Sequence, residues 1–194
     1  MDIQSPKGTR DILPEEIDKW RWVENTVRRL FEKFGYKEIR TPIFEHTEVF
    51  TRSIGEATDI VEKEMYTFRD QGGRSISLRP EGTASVVRAC IQNSLIRNVP
   101  IVKLYYFGQM FRYERPQAGR YREFWQAGVE AFGIAEPVID AEIIMMGEHF
   151  LEQVGISEVK LHLNSMGCNE CRPAYVEKLK DFLAEHLDEL CGKC

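Results

Sequence analysis

Two runs near the middle of the chain limit its fold more than any other feature. Residues 101–114 read IVKLYYFGQMFRYE, residues 122–133 read REFWQAGVEAFG, and a polar segment, RPQAGRY, joins them. Long alternating runs separated by a short polar connection predict an antiparallel hairpin, in which successive side chains point to opposite faces. On the second run the odd positions Trp125, Ala127, Val129 and Ala131 are all apolar, whereas the even positions are Phe124, Gln126, Gly128 and Glu130. The odd face is therefore expected to be core. The even face is expected to form the floor of a small polar ligand's site, with Gly128 leaving room above the backbone. On the first run Gly108, Met110, Arg112 and Glu114 share one parity. If the two sets meet, Arg112, Glu114, Phe124, Gln126 and Glu130 converge. The competing reading is a solvated ladder of weak ion pairs.

The rest of the chain supplies partners for that hairpin. Ile17, Trp20, Val23, Val27, Leu30, Phe31 and Phe34 recur at helical spacing between Pro14 and Gly35, which predicts a helix with a glycine stop. KEIRTPIFE (37–45) reads as a strand, and Pro42 within it predicts a sheet edge or an interface. MYTFRDQGGRSISLRP (65–80) reads as a second hairpin turning on Gly72-Gly73, and EGTASVVRACIQNSLIRN (81–98) as a helix. An amphipathic helix is expected over 137–154, a strand over EVKLHLN (158–164), and charged, helical sequence from Cys168 onward. Hairpins alternating with helices predict an α+β fold, an antiparallel sheet flanked by helices.

Charge narrows what such a site would bind. Arg112, Arg115, Arg120 and Arg122 fall close together in a chain of 26 Lys plus Arg against 31 Asp plus Glu, a net −5. No whole-molecule field draws nucleic acid or an anionic membrane to it, so a polyanion must be recognised locally. The first residues lack the basic-then-apolar order of a signal peptide, and no apolar run approaches the roughly 18 residues that span a bilayer. A cytoplasmic location without membrane contact is the expectation. At 81–83, Glu81, Gly82 and Thr83 open the predicted helix and add a second carboxylate and a hydroxyl. The structural alternative for Glu81 is capping of that helix.

These segments together are specific. PKGTRDILP (6–14), LRPEGTA (78–84) and FRYERPQAGRYREFWQAGVEAFG (111–133) resemble the catalytic domain of the histidyl-tRNA synthetase family, class II aminoacyl-tRNA synthetases. RTPIFEHTEVFTRSIGE (40–56) resembles the family's dimer-forming motif 1, around Pro42, and 111–133 its motif 2. The resemblance implies a histidine–tRNA ligase that activates L-histidine with ATP and Mg2+ and transfers it to tRNA(His), working as a homodimer. It implies that Arg112 is catalytic, holding the α-phosphate and the histidine carboxylate, and that Glu114, Arg120 and Phe124 bind ATP with it. Glu81, Gly82, Thr83, Gln126 and Glu130 would bind histidine, with Glu130 against the imidazole. Arg115 and Gln117 would meet the tRNA acceptor end. Residues 1–166 would be the amino-terminal part of the catalytic domain and 167–194 the start of a helical insertion domain. The family's second catalytic arginine, motif 3 and anticodon-binding domain have no match here, so the resemblance implies an amino-terminal part with an incomplete active site. The alternative is a histidine-binding paralogue, the regulatory subunit of ATP phosphoribosyltransferase.

Cys168-x-x-Cys171 and Cys191-x-x-Cys194 have the spacing of a four-cysteine zinc site. The segment between them reads as one helix, and an unbroken helix over 173–190 would hold the pairs about 27 Å apart. Structural zinc and reduced thiols without metal both remain open, and no metal ligand is assigned. Cys90 is expected in the core.

Overall fold

The computed structural model describes every residue except 1, 2, 56–59, 98, 116, 118, 165, 166, 169 and 192–194. The chain divides into two compact units, Met1–Ser157 and Glu158–Cys194.

The first unit is built on the predicted hairpin. Strand β5 (Val102–Phe111) pairs antiparallel with β6 (Glu123–Phe132) over ten residue pairs, among them Tyr106 opposite Gly128 and Gly108 opposite Gln126. Strand β1 (Lys37–Glu38) joins the free side of β5 in parallel, giving the order β1-β5-β6. Helix α1 (Pro14–Lys33) starts with a proline and two glutamates in its first turn, where no intrahelical donor is lost and the dipole favours negative charge. The chain leaves it through Gly35 at φ +81°, a conformation that costs glycine nothing. Val27, Leu30 and Phe31 of α1, Tyr36, and Met146 of α4 (Val138–Gln153) bury themselves against Tyr105, with Phe107, Val129 and Ala131 alongside. The odd side of the hairpin thus packs on the core at Val129 and Ala131, as its parity predicts, whereas Ala127 is exposed.

The even side is core too, which corrects the expectation of an open floor. Val86 and Cys90 of α3 (Thr83–Gln92) pack on Leu104, Tyr106 and Met110, with Phe124 and Phe132 closing the cluster. A hairpin covered on both faces by helices leaves Gln126, Gly128 and Glu130 as a polar gap bracketed by two phenylalanines. The room beside Gly128 is filled: a Cβ there would stand 2.3 Å from the Tyr106 ring.

The segment 37–45 is split. Beyond β1 the chain crosses Pro42, which has no N–H to give a ladder, and resumes as β2 (Phe44–His46) in a second sheet of order β2-β4-β3. Both halves are edge strands. Strands β3 (Thr67–Arg69) and β4 (Ser75–Leu78) are the predicted Gly-Gly hairpin, with Phe68 opposite Ile76. Helix α2 (Thr47–Ile54) packs on α3 and β4, followed after the undescribed residues by a π-helical turn, Ile60–Glu64.

In the second unit, residues 158–164 form no strand, against the alternation of EVKLHLN. A pattern sets which face a side chain takes, but a strand exists only where a neighbour satisfies its backbone. Helix α5 spans Cys171–Glu185 and gives way at His186 to a 3-10 turn, Leu187–Glu189, so the predicted long helix is shorter and ends before Cys191.

Candidate functional site

The start of α3 lies against the polar gap of β6; two hydrogen bonds tie them, and a third holds Arg112, just past β5, to the segment before the helix. Gly82 N–H donates to Gln126 Oε1 at 3.2 Å, Thr83 Oγ1 donates to Glu130 Oε1 at 2.7 Å, and Arg112 Nε donates to the Pro80 carbonyl at 2.9 Å. Arg112 also sits over the Phe124 ring, 5.3 Å from its centre. Glu81, Gly82, Thr83, Arg112, Phe124, Gln126 and Glu130 are therefore brought together. Close packing of α3 on β6 explains why: Gly82 has no Cβ, and one built there would stand 2.2 Å from the Tyr106 ring. Tyr106 is thus clasped between Gly82 and Gly128.

Each carboxylate in the gap has a structural task. Glu81 accepts from the N–H groups of Thr83 at 2.6 Å and Ala84 at 2.9 Å, so the capping alternative describes its contacts. A carboxylate has further lone pairs, so capping leaves acceptor capacity. Burial pushes the Glu130 carboxyl above its ordinary range, the Thr83 hydrogen bond opposes the shift, and the charge of Glu81 adds to it. The same gap pushes the Tyr106 hydroxyl up to about 12, chiefly through burial, with Glu130 and Glu81 contributing. At neutral pH Tyr106 is a neutral phenol.

The loop residues stand apart from this cluster. Glu114 pairs with Arg120 at 3.3 Å. Neither lies on a strand, since β5 ends at Phe111, so the parity argument does not reach Glu114. Gln117 and Arg120 bridge each other through their backbones at a turn with Gly119 at φ +78°, and Arg115 and Gln117 are exposed. Arg122 closes the loop's base: its N–H donates to Gly8 O at 2.7 Å, its Nε to Glu114 O at 3.2 Å, and its guanidinium lies 3.8 Å from the Tyr113 ring centre. PKGTR is held there because Gly8 leaves room for the Arg122 side chain, which a Cβ would meet at 2.7 Å.

Two residues near the site escaped sequence reasoning. Tyr106 shares the even parity and faces Gly128 in register, so a bulky residue opposite a strand glycine was the available signal. Arg79 is buried at the crossing of the two sheets, where Nε donates to Gln109 O at 2.8 Å and Nη1 to Thr41 O at 3.1 Å. Gly108 makes space for its guanidinium, which a Cβ would meet at 2.5 Å. A cavity of about 420 Å³ borders Arg79, Tyr106, Gly108 and Gln109, along the edge of β5 that β1 leaves uncovered. It does not include Glu81, Thr83, Arg112, Gln126 or Glu130, which the hydrogen bonds at the start of α3 gather elsewhere.

Among the described residues no group of three or more His, Cys, Asp or Glu side chains could hold a metal ion; Cys194 lies outside them. No helix among them is long and apolar enough to cross a membrane.

Comparison with known proteins places this geometry. The histidine–tRNA ligase of Halothermothrix orenii is 57% identical over 194 residues, all of this chain and 46% of that protein. That of Moorella thermoacetica is 58% identical over 190 residues, 97% of this chain and 45% of that protein. The chain thus spans under half the length of the curated relatives it matches. Among solved structures, apo S. aureus histidyl-tRNA synthetase superposes with a TM-score of 0.75 at 45% identity, covering all of this chain and 45% of that one. An ATP phosphoribosyltransferase regulatory subunit/histidyl-tRNA synthetase from Bacillus halodurans C superposes with a TM-score of 0.69 at 28% identity, over 81% of this chain and 40% of that one. The α+β fold is that of the class II synthetases. With the histidyl-tRNA synthetase family model matching residues 8–171, the chain belongs to the histidyl-tRNA synthetase family.

Proposed function

We propose that the chain forms the histidine- and ATP-binding half of a histidine–tRNA ligase active site, with residues 1–166 as catalytic domain and 167–194 as the start of a helical insertion. The observation that carries this reading is the seam between α3 and β6, where Thr83 is bonded to Glu130 and Gly82 to Gln126 beside Arg112. The substrates are L-histidine, ATP as its magnesium complex, and tRNA(His). Arg112 is anchored through Nε, which aims its terminal nitrogens; a planar guanidinium fork suits a phosphate gaining negative charge as the histidine carboxylate attacks. Phe124, under that guanidinium, also offers a face to adenine, while Glu114 accepts from the adenine amino group and Arg120 holds the outer phosphates. Glu81, Gly82, Thr83 and Gln126 line the place of the histidine ammonium. Glu130 uses one oxygen for Thr83 and turns the other to the imidazole N–H. A substrate without that donor leaves a buried acceptor unpaired, which is the basis of selectivity. No protein acid or base is required; positioning and charge stabilisation carry the reaction. Arg115 and Gln117, exposed in the loop, face the acceptor end of the tRNA.

The protein works in the cytoplasm as a homodimer. Support for the dimer is the outer sheet near Pro42, where Ile43, Phe44 and Phe68 are 43%, 58% and 47% exposed, more apolar surface than a solvated face needs. The regulatory-subunit reading is weaker, because the solved chain bearing that description is less similar than the synthetase.

The test is a chimera in which residues 1–194 replace the matching part of the Halothermothrix orenii ligase. It is expected to sustain histidine-dependent ATP–pyrophosphate exchange. In it, Glu130→Ala should raise the KM for histidine by about 10²-fold or more, with a much smaller effect on ATP. Equal effects on both substrates would remove Glu130 from side-chain recognition.

A further inference from the structure

The second unit holds a pair of thiols that the ligase reading does not use. Cys171 is the first residue of the 15-residue helix α5, and Cys168 lies one turn before it. Their sulfurs are 3.5 Å apart, roughly 1.5 Å beyond a disulfide bond, and the Cys168 N–H donates to Cys171 Sγ at 3.0 Å. Gly167 has φ +71°, and a Cβ there would press on Cys171 Sγ at 2.8 Å, so its glycine makes the space in which that sulfur turns toward Cys168. Both cysteines are exposed to solvent, whereas Cys90 is buried between α3 and the hairpin.

Two chemistries compete for such a pair. A structural zinc needs four ligands, and Cys194, the fourth thiol of the two pairs, lies outside the described residues. A disulfide needs only the two sulfurs already in contact.

We propose that Cys168 and Cys171 form a redox-active dithiol that closes reversibly into an intramolecular disulfide by exchange with a small-molecule disulfide. In the first step the Cys168 thiolate attacks one sulfur of the small disulfide; a mixed disulfide forms and one small thiolate leaves. In the second, the Cys171 thiolate attacks the Cys168 sulfur, the intramolecular bond closes and the second small thiolate departs. The protein loses two electrons and two protons, which the two released thiols carry away. Cys168 is the attacking group. Backbone N–H groups of Cys171 and Glu170, with the neighbouring thiol, hold its pKa below the usual thiol range and favour the thiolate. Cys171, at the helix start, is the resolving thiol.

The experiment uses the whole 194-residue chain in glutathione buffers of increasing oxidised fraction, quenched by alkylation and digested with trypsin. Arg172 precedes a proline, so residues 161–178 leave as one peptide carrying both thiols, while Cys191 leaves on another. That first peptide is expected to lose two hydrogens and regain them in dithiothreitol. Cys171→Ser should instead trap glutathione on Cys168, and Cys168→Ser should form no disulfide in this peptide. Alkylation of Cys168 is expected to be about tenfold faster than that of Cys191. Four results overturn the proposal: a bond from this peptide to Cys191 or to a second chain, glutathione on both thiols without closure, equal alkylation rates, or one zinc per chain that shields these thiols until a chelator is added.

Discussion

Glu130 is the residue on which the proposed recognition of histidine and the stability of the fold meet. Burial sets its carboxyl pKa above the unfolded value, Thr83 holds it down in part, and Glu81 raises it again. For an acid whose folded pKa is raised, the native chain binds more protons than the unfolded one between the two values. Stability therefore falls as pH climbs through that window, and the penalty is complete above it. Glu130→Gln keeps an acceptor for Thr83 and removes the charge. It is expected to stabilise the chain near pH 7 by less than about 1 kcal/mol, allowing for solvent screening of a partly exposed group, with the gain fading toward about pH 4. Urea midpoints at the two pH values measure this; a gain independent of pH would mean that burial of the charge is not its source. The residues themselves were legible. Gln126 and Glu130 are found by parity and by what their neighbours are not, whereas Arg112, just past the end of β5, stands out by its place in the arginine cluster. The environment of Glu130 was not, because a carboxylate's surroundings are fixed by groups such as Thr83, 47 positions away in sequence.

At the level of elements, parity worked where a partner existed. The pairing of 102–111 with 123–132 and the stop of α1 at Gly35 follow from local pattern. Parity says which face a side chain takes and nothing about what covers that face. That is why Gly128 read as empty space when Tyr106 fills it. It is also why EVKLHLN, equally well patterned, forms no strand. The Tyr106 clasp has a measurable consequence for the packing of α3 on the hairpin. Gly128→Ala puts a methyl 2.3 Å from the ring and is expected to cost about 1–3 kcal/mol in chemical denaturation. In a Tyr106→Ala background the same change should cost less than about 1 kcal/mol, since the obstacle is gone. An undiminished cost would locate the strain in the backbone of β6.

On the scale of the whole molecule, the chain matches under half the length of the ligases it resembles. In the proposed reading Arg112 offers one guanidinium to the reacting phosphate, and loss of one preorganised donor typically costs about 10²–10³ in rate. The 194-residue chain alone is expected to show no ATP–pyrophosphate exchange above about a thousandth of the chimera's rate, whereas activity near the chimera's would mean that these residues hold a complete site. The outer sheet makes a separate expectation. Phe44→Asp should move the sedimenting species from dimer to monomer while the circular dichroism of the chain is kept, and an unchanged dimer would place the interface elsewhere. The anchoring of PKGTR by Arg122 bears on how the molecule is made. Lys7 O and Arg122 Nη1 are in contact across 115 residues of chain, and Gly8 O takes the Arg122 N–H. On a ribosome this segment must wait, unanchored and open to proteases and chaperones, until the 115 positions that separate it from Arg122 have followed it out. The base of the loop proposed to meet the ligands is thus finished by a segment made well before it, and the two are joined only after both have left the ribosome.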